Sequence, residues 1–202
     1  MSSTLSTGWR NEADMKILLI VLGVLLVVGI IVGVQMKATY NELYTQKEDI
    51  AAKWSQVDIV LQRRLDLIPN LVETVKGFAK QEKEIMEAVA NARAGLLNAR
   101  SPQEKIDGNG RLDSALGRLL LVVENYPNLK SNENFMRLQD ELAGTENRIA
   151  IERRKYNESV QKFNTNIGLF PNNIIASIFG FQRNDAYFKT EAAARTAPKV
   201  AF

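Results

Sequence analysis

Neither cysteine nor histidine occurs in the sequence. Their absence removes disulfides, thiol nucleophiles, imidazole bases and nearly every zinc, copper or iron ligation pattern, and leaves carboxylate, amine and hydroxyl chemistry. Without thiols the chain is indifferent to redox compartment, so composition selects no side of a membrane. Net charge is also scarce: 26 basic against 23 acidic residues give +3 over 202 residues. A nucleic-acid footprint is more lopsided and more clustered than this, so no nucleic-acid partner is expected. Strand signals are missing as well, since no window alternates apolar and polar residues between hairpin turns.

What the chain does have is one dense apolar block. Residues 17–34 read ILLIVLGVLLVVGIIVGV, 18 positions without a charged or polar side chain. As a helix this run spans ~27 Å at ~1.5 Å per residue, close to a ~30 Å hydrocarbon core. It is expected to be a transmembrane anchor in contact with lipid. A cleaved signal peptide is the rival, but the run exceeds an ordinary apolar region and no small-x-small cleavage site precedes Gln35. Orientation is close to a tie, with Arg10 and Lys16 on one side and Lys37, Lys47 and Lys53 on the other. Lys16 abuts the apolar run, which favours a cytoplasmic N-terminus and a soluble domain outside. Gly29 and Gly33 form a GxxxG spacing through which two such helices can approach.

Beyond the anchor, apolar residues recur at helical spacing. The first stripe is Leu43, Ile50, Trp54, Val57, Leu61, Leu65 and Ile68, and with no turn signal between Val34 and Tyr40 the membrane helix is expected to run on into it. Pro69 is expected to interrupt that helix, because proline disfavours helical backbone in the preceding residue. A second stripe (Leu71, Val75, Phe78, Ile85, Val89, Leu96) ends at Ser101-Pro102, where Ser can cap and Pro can begin the next helix. A third runs from Ile106 to Val123 and closes at Tyr126-Pro127. The longest extends from Phe135 through Ile149, Tyr156 and Phe163 to Phe170, before Pro171. A short apolar helix broken by Gly180 follows. The expected fold is all-α: a single transmembrane helix continuing into an antiparallel bundle of long helices. The divisions are an N-terminal tail at 1–16, the anchor at 17–36, the bundle at 37–185 and a C-terminal tail at 186–202.

Few groupings of residues suggest chemistry. Residues 107–113 begin like a calcium loop, but an EF-hand needs an oxygen ligand at Arg111, glycine at Leu112 and glutamate at Arg118. A flexible inter-helix loop or an interrupted helix is the better reading. Carboxylates on the last long helix (Asp140, Glu141, Glu146, Glu152) suggest a bridged metal pair, yet such bundle sites use Glu-x-x-His and there is no histidine. No catalytic, metal or cofactor residue is therefore assigned. Charges do line the apolar stripes: Asp58, Arg63, Arg64 and Asp66 beside Trp54, and Asp140, Glu141, Arg148, Glu152, Arg153 and Arg154 on the last helix. Their spacing predicts interhelical ion pairs that set register, or a docking surface, each exposed pair contributing ~0.2–1 kcal/mol. The C-terminal Pro198-Lys199-Val200-Ala201-Phe202 ends apolar-x-apolar, a form captured by strand-addition domains, though a plain tail is simpler.

Several of these stretches together resemble the LemA family of bacterial membrane proteins. The matching text comprises residues 40–43 (YNEL), 54–79 (WSQVDIVLQRRLDLIPNLVETVKGFA), 92–94 (ARA), 138–160 (LQDELAGTENRIAIERRKYNESV), 163–171 (FNTNIGLFP), 179–181 (FGF) and 198–202 (PKVAF). Leu65 and Phe78 depart from it, standing where the family commonly shows tyrosine. The resemblance implies a short tail, one membrane helix and a bundle of long helices, with no reaction and no catalytic residues to carry over. A family relative in magnetosome-forming bacteria implies membrane organisation by analogy. The expectation is a non-enzymatic scaffold in a bacterial inner membrane, assembling as a homo-oligomer or with a partner membrane protein. A bundle that senses a ligand in an apolar cavity lined by Trp54, Phe78 and Phe163 is the alternative.

Overall fold

The computed structural model describes residues 6–188. Six helices follow in order: α1 (Ser6–Phe78), α2 (Lys83–Asn98), α3 (Pro102–Val123), α4 (Pro127–Lys130), α5 (Glu133–Gly168) and α6 (Asn172–Phe179). Among the described residues there is no strand. The all-α expectation holds, with one long apolar N-terminal helix leading into a helical bundle.

Pro69 does not end the first helix. It lies inside α1, which continues to Phe78, and the first break comes at residues 79–82. A proline in a helix deprives the carbonyl four residues earlier of its donor, here that of Leu65. Arg93 of α2 fills the gap, its Nε donating to the Leu65 carbonyl at 2.9 Å. The helix therefore loses one internal bond without leaving a buried acceptor unpaired.

The described residues divide into two compact units. One comprises Gln46–Thr165 and residues 183–188. Here the second part of α1 packs with α2, α3 and α5 around Leu65, Ile68, Leu71, Val75, Met86, Val89, Leu96, Leu112, Leu119 and Phe135, all buried. Burying a side chain of this size contributes about 1.5–3 kcal/mol. Contacts fix the directions. Asp58 meets Lys105 and Arg64 meets Asp113, so α1 and α3 run the same way. Trp54 meets Tyr156 and Arg64 meets Glu146, so α5 runs opposite. Only residues 79–82 separate α1 from α2, and Leu65 meets Arg93 well back from that break, so α2 is also opposed and the bundle is up-down-up-down.

Local chemistry sets the joints. Ser101 caps α3 by accepting from the Glu104 N–H at 3.2 Å, Pro102 occupies its first turn, and Glu104 Oε2 accepts from the Arg100 N–H at 2.8 Å. These backbone donors, Arg100 first and Ser101 next, hold the Glu104 carboxyl below its ordinary pKa. Residues 107–113 form neither a loop nor a break; they sit within α3, with Gly108 and Asn109 buried. Gly108 allows α3 to approach α2 closely, since a Cβ there would lie 3.3 Å from Leu96 Cα.

Residues 181–188 are irregular and are laced onto α5 by two side-chain amides. Asn157 donates to the Phe188 carbonyl at 2.8 Å and accepts from its N–H at 3.0 Å. Two turns later, Asn164 donates to the Asn184 carbonyl at 2.7 Å and accepts from the Asn184 N–H at 2.9 Å. Residues beyond 188, the Pro198–Phe202 terminus included, lie outside the described residues.

The other unit comprises the described residues up to Thr45 together with Asn166–Gln182. Side chains of residues 17–34 are exposed throughout. Farther along α1, Thr39 Oγ1 approaches Asn172 Oδ1 at 3.5 Å, and Asn166 donates to Glu42 at 2.9 Å. Tyr40 packs on Phe179 and Phe181, with ring centroids 4.9 and 5.6 Å away. Gly180 makes that double contact possible. It ends α6 in the left-handed conformation (φ 72°), with Phe181 N–H returning to the Ala176 carbonyl at 2.9 Å.

Candidate functional site

The densest polar feature lies among α1, α3 and α5. Arg64 is buried, 6% exposed, and its guanidinium meets Asp113 and Asn109 of α3 and Glu146 of α5. The distances to Asn109 and Glu146 are 3.2 and 2.9 Å. Asn109 donates to Asp113 at 2.8 Å, one turn along the same helix. Arg153 adds a second cation, 3.5 Å from Asp113 and 4.0 Å from Glu146. Two arginines thus face two carboxylates from three helices. Removing one partner of a buried pair strands the other charge and costs about 3–5 kcal/mol, whereas the half-exposed Glu146 is screened and contributes less.

A cavity of about 250 Å³ adjoins this network, walled by Leu71, Leu116, Leu120, Leu142 and Ala143, with Arg64 and Glu146 also on its wall. The Nε of Arg64 and of Arg153 make no hydrogen bond among the described residues.

Of the charges singled out beside the apolar stripes, three form interhelical pairs: Arg64 and Arg153, as above, and Asp58 with Lys105 of α3. The rest do not come together. Arg63 is exposed on α1, and Asp66 accepts from Gln62 of its own helix at 2.9 Å. Asp140, Glu141 and Arg148 are exposed on α5, and Glu152 pairs locally with Lys155 at 2.8 Å. Trp54 stands edge-on to Tyr156 at 5.2 Å and stacks on Phe188 at 6.0 Å, with Arg153 5.0 Å above the Phe188 ring. Burial holds the Tyr156 phenol above its ordinary pKa, so it stays neutral.

The space expected between Trp54, Phe78 and Phe163 is not the cavity found: Trp54 is packed by aromatic rings, Phe78 is exposed and Phe163 is buried. Asn109, Asp113, Asn157 and Asn164 carry contacts that sequence reading did not assign. The 107–113 stretch was the available signal, since Asn109 and Asp113 share a face of α3 at a spacing of four.

Residues 53–202 match the sequence model of the LemA family. The chain belongs to the LemA family. Among similar proteins, magnetosome protein MamQ 2 of Paramagnetospirillum magneticum is 31% identical over 204 residues, covering 88% of this chain and 74% of that protein. Magnetosome protein MamQ of Magnetospirillum gryphiswaldense is 29% identical, covering 89% and 74%. Protein LemA of Metamycoplasma hominis is 25% identical over 137 residues, covering 67% and 63%. This LemA-family chain is accordingly a membrane-associated helical protein, with one helix near its N-terminus apolar and long enough to cross a membrane.

Proposed function

We propose that this LemA-family protein is a non-enzymatic scaffold, held in a bacterial inner membrane by a single pass through residues 17–34, with its bundle on the extracytoplasmic side. The observation that carries the reading is that one helix, α1, supplies both the exposed apolar segment and the first member of the buried four-helix core. Arg64, Arg153 and Asp113, among the least exposed charges of the bundle, are matched across helices, an arrangement suited to a fixed shape and not to proton transfer. Relatives named magnetosome proteins support a part in membrane organisation by analogy. Extraction in mild detergent, followed by mass measurement of the intact particle, is expected to give a homo-oligomer or a complex with another membrane protein. A strict monomer that retains nothing would end this reading.

The cavity beside Arg64 favours a second reading, in which the bundle senses a small amphiphile. Saturable binding of an apolar fluorescent probe, abolished by Leu120→Trp, would support it; absence of binding would remove it.

A further inference from the structure

We propose that α6 and the Leu169-Phe170-Pro171 turn before it form a second membrane contact, lying in the lipid headgroup layer beside the anchor. The proposal rests on the reading that residues 17–34 span the bilayer.

The placement follows from contacts within one compact unit. Asn166, near the end of α5, bonds Glu42, and Asn172, at the start of α6, approaches Thr39. Each step moves the chain toward Val34. Thr39 is five residues past the apolar run, about 8 Å along a helix at ~1.5 Å per residue. The headgroup layer adds roughly 5–8 Å on each side of the hydrocarbon core. The turn and α6 therefore fall at its depth.

Side chains there match that environment. Ile175 and Ala176 are buried, but Phe170 is 80% exposed, Ile178 62%, Leu169 55% and Ile174 51%. Large apolar side chains left exposed together at a turn and along one side of a short helix are unfavourable in water and favourable at a lipid interface. Tyr40, Phe179 and Phe181 fix α6 to α1 at this level, and aromatic rings are favoured at headgroup depth. Lys37, between the apolar run and Tyr40, is exposed and positioned for lipid phosphate. Lipid is the favoured occupant over a second copy because the exposed residues continue the lipid-facing surface of α1 at the depth where its apolar run ends.

The test exploits the lack of cysteine. Single cysteines at Phe170, Ile174 and Ile178, with Leu25→Cys as the anchor reference, are spin-labelled in the full chain and reconstituted in phosphatidylcholine–phosphatidylglycerol nanodiscs. Collision with oxygen and with a water-soluble nickel chelate is measured against a free nitroxide in buffer. Labels at 170, 174 and 178 should favour oxygen over nickel several-fold relative to that reference, at depths shallower than 25. Water-like values at all three with position 25 deep would overturn the proposal, as would label–label broadening that shows a second copy covering them. Water-like values at 25 would instead overturn the spanning reading on which the proposal stands.

Discussion

The Arg93 guanidinium makes the hydrogen bond to the Leu65 carbonyl that an N–H at position 69 would make in an uninterrupted helix. Helix α1 thereby passes through a proline, and its continuity depends on α2. The coupling predicts a double-mutant cycle. Arg93→Ala should destabilise the bundle by about 1–3 kcal/mol, the cost of an unpaired buried acceptor. In a Pro69→Ala background, where residue 69 supplies its own N–H, the same change should cost about 1 kcal/mol less. Thermal unfolding in mild detergent, followed by circular dichroism, measures both; equal costs in the two backgrounds would contradict the relationship.

Charges that look alike in the sequence should behave differently. Asp113→Ala leaves Arg64 buried with a half-exposed partner and should cost about 3 kcal/mol or more. Asp140→Asn and Arg148→Gln, on the exposed side of α5, should change stability by no more than about 0.5 kcal/mol. Comparable losses at all three positions, seen in the same unfolding assay, would mean that the network is not where the bundle's polar stability resides.

Glu104 gives a pH prediction. Its folded pKa lies below the ordinary value because the Arg100 and Ser101 N–H groups favour the carboxylate. A depressed carboxyl stabilises the fold above its unfolded pKa, and the contribution is lost as pH falls through the folded value. Glu104→Gln should therefore lower the unfolding temperature near neutral pH, and the gap to the parent should close as the medium is acidified below the carboxylate range. A gap independent of pH would place the effect elsewhere.

Self-association through the anchor has its own check. No atom lies within 4 Å of a Cβ placed on Gly29 or Gly33, so this face of α1 is open to another helix. Replacing both glycines with leucine should shift the particle in detergent toward monomer, read by sedimentation velocity, while the bundle unfolds at the parent temperature. An unchanged mass would locate self-association outside this face.

Helical periodicity made much of the fold legible. Leu43, Ile50, Val57, Leu61, Leu65 and Ile68 are all buried as their spacing predicts, and Ser101-Pro102 starts a helix. Two of the failures share one cause, that local signals were outweighed by a distant partner. Pro69 lacks a donor, but Arg93 lies 24 positions on. Residues 107–113 are rich in helix-weakening Gly and Asn, but Gly108 fits against Leu96 and Asn109 and Asp113 receive Arg64. Phe170 continues the periodicity of α5, yet the helix stops at Gly168 and the ring is exposed. In the bundle, charge spacing identified Arg64, Arg153 and Asp58. It could not separate them from Asp140 or Arg148, because exposure depends on helix rotation that a mixed-charge face does not specify.

The lacing of residues 184–188 by Asn157 and Asn164 makes Trp54 an optical gauge. Phe188 covers the indole, and Trp9 is the only other tryptophan in the chain. In a Trp9→Phe background, emission from Trp54 would report whether that strap is seated: blue while the ring is covered, shifting red when the strap lifts off.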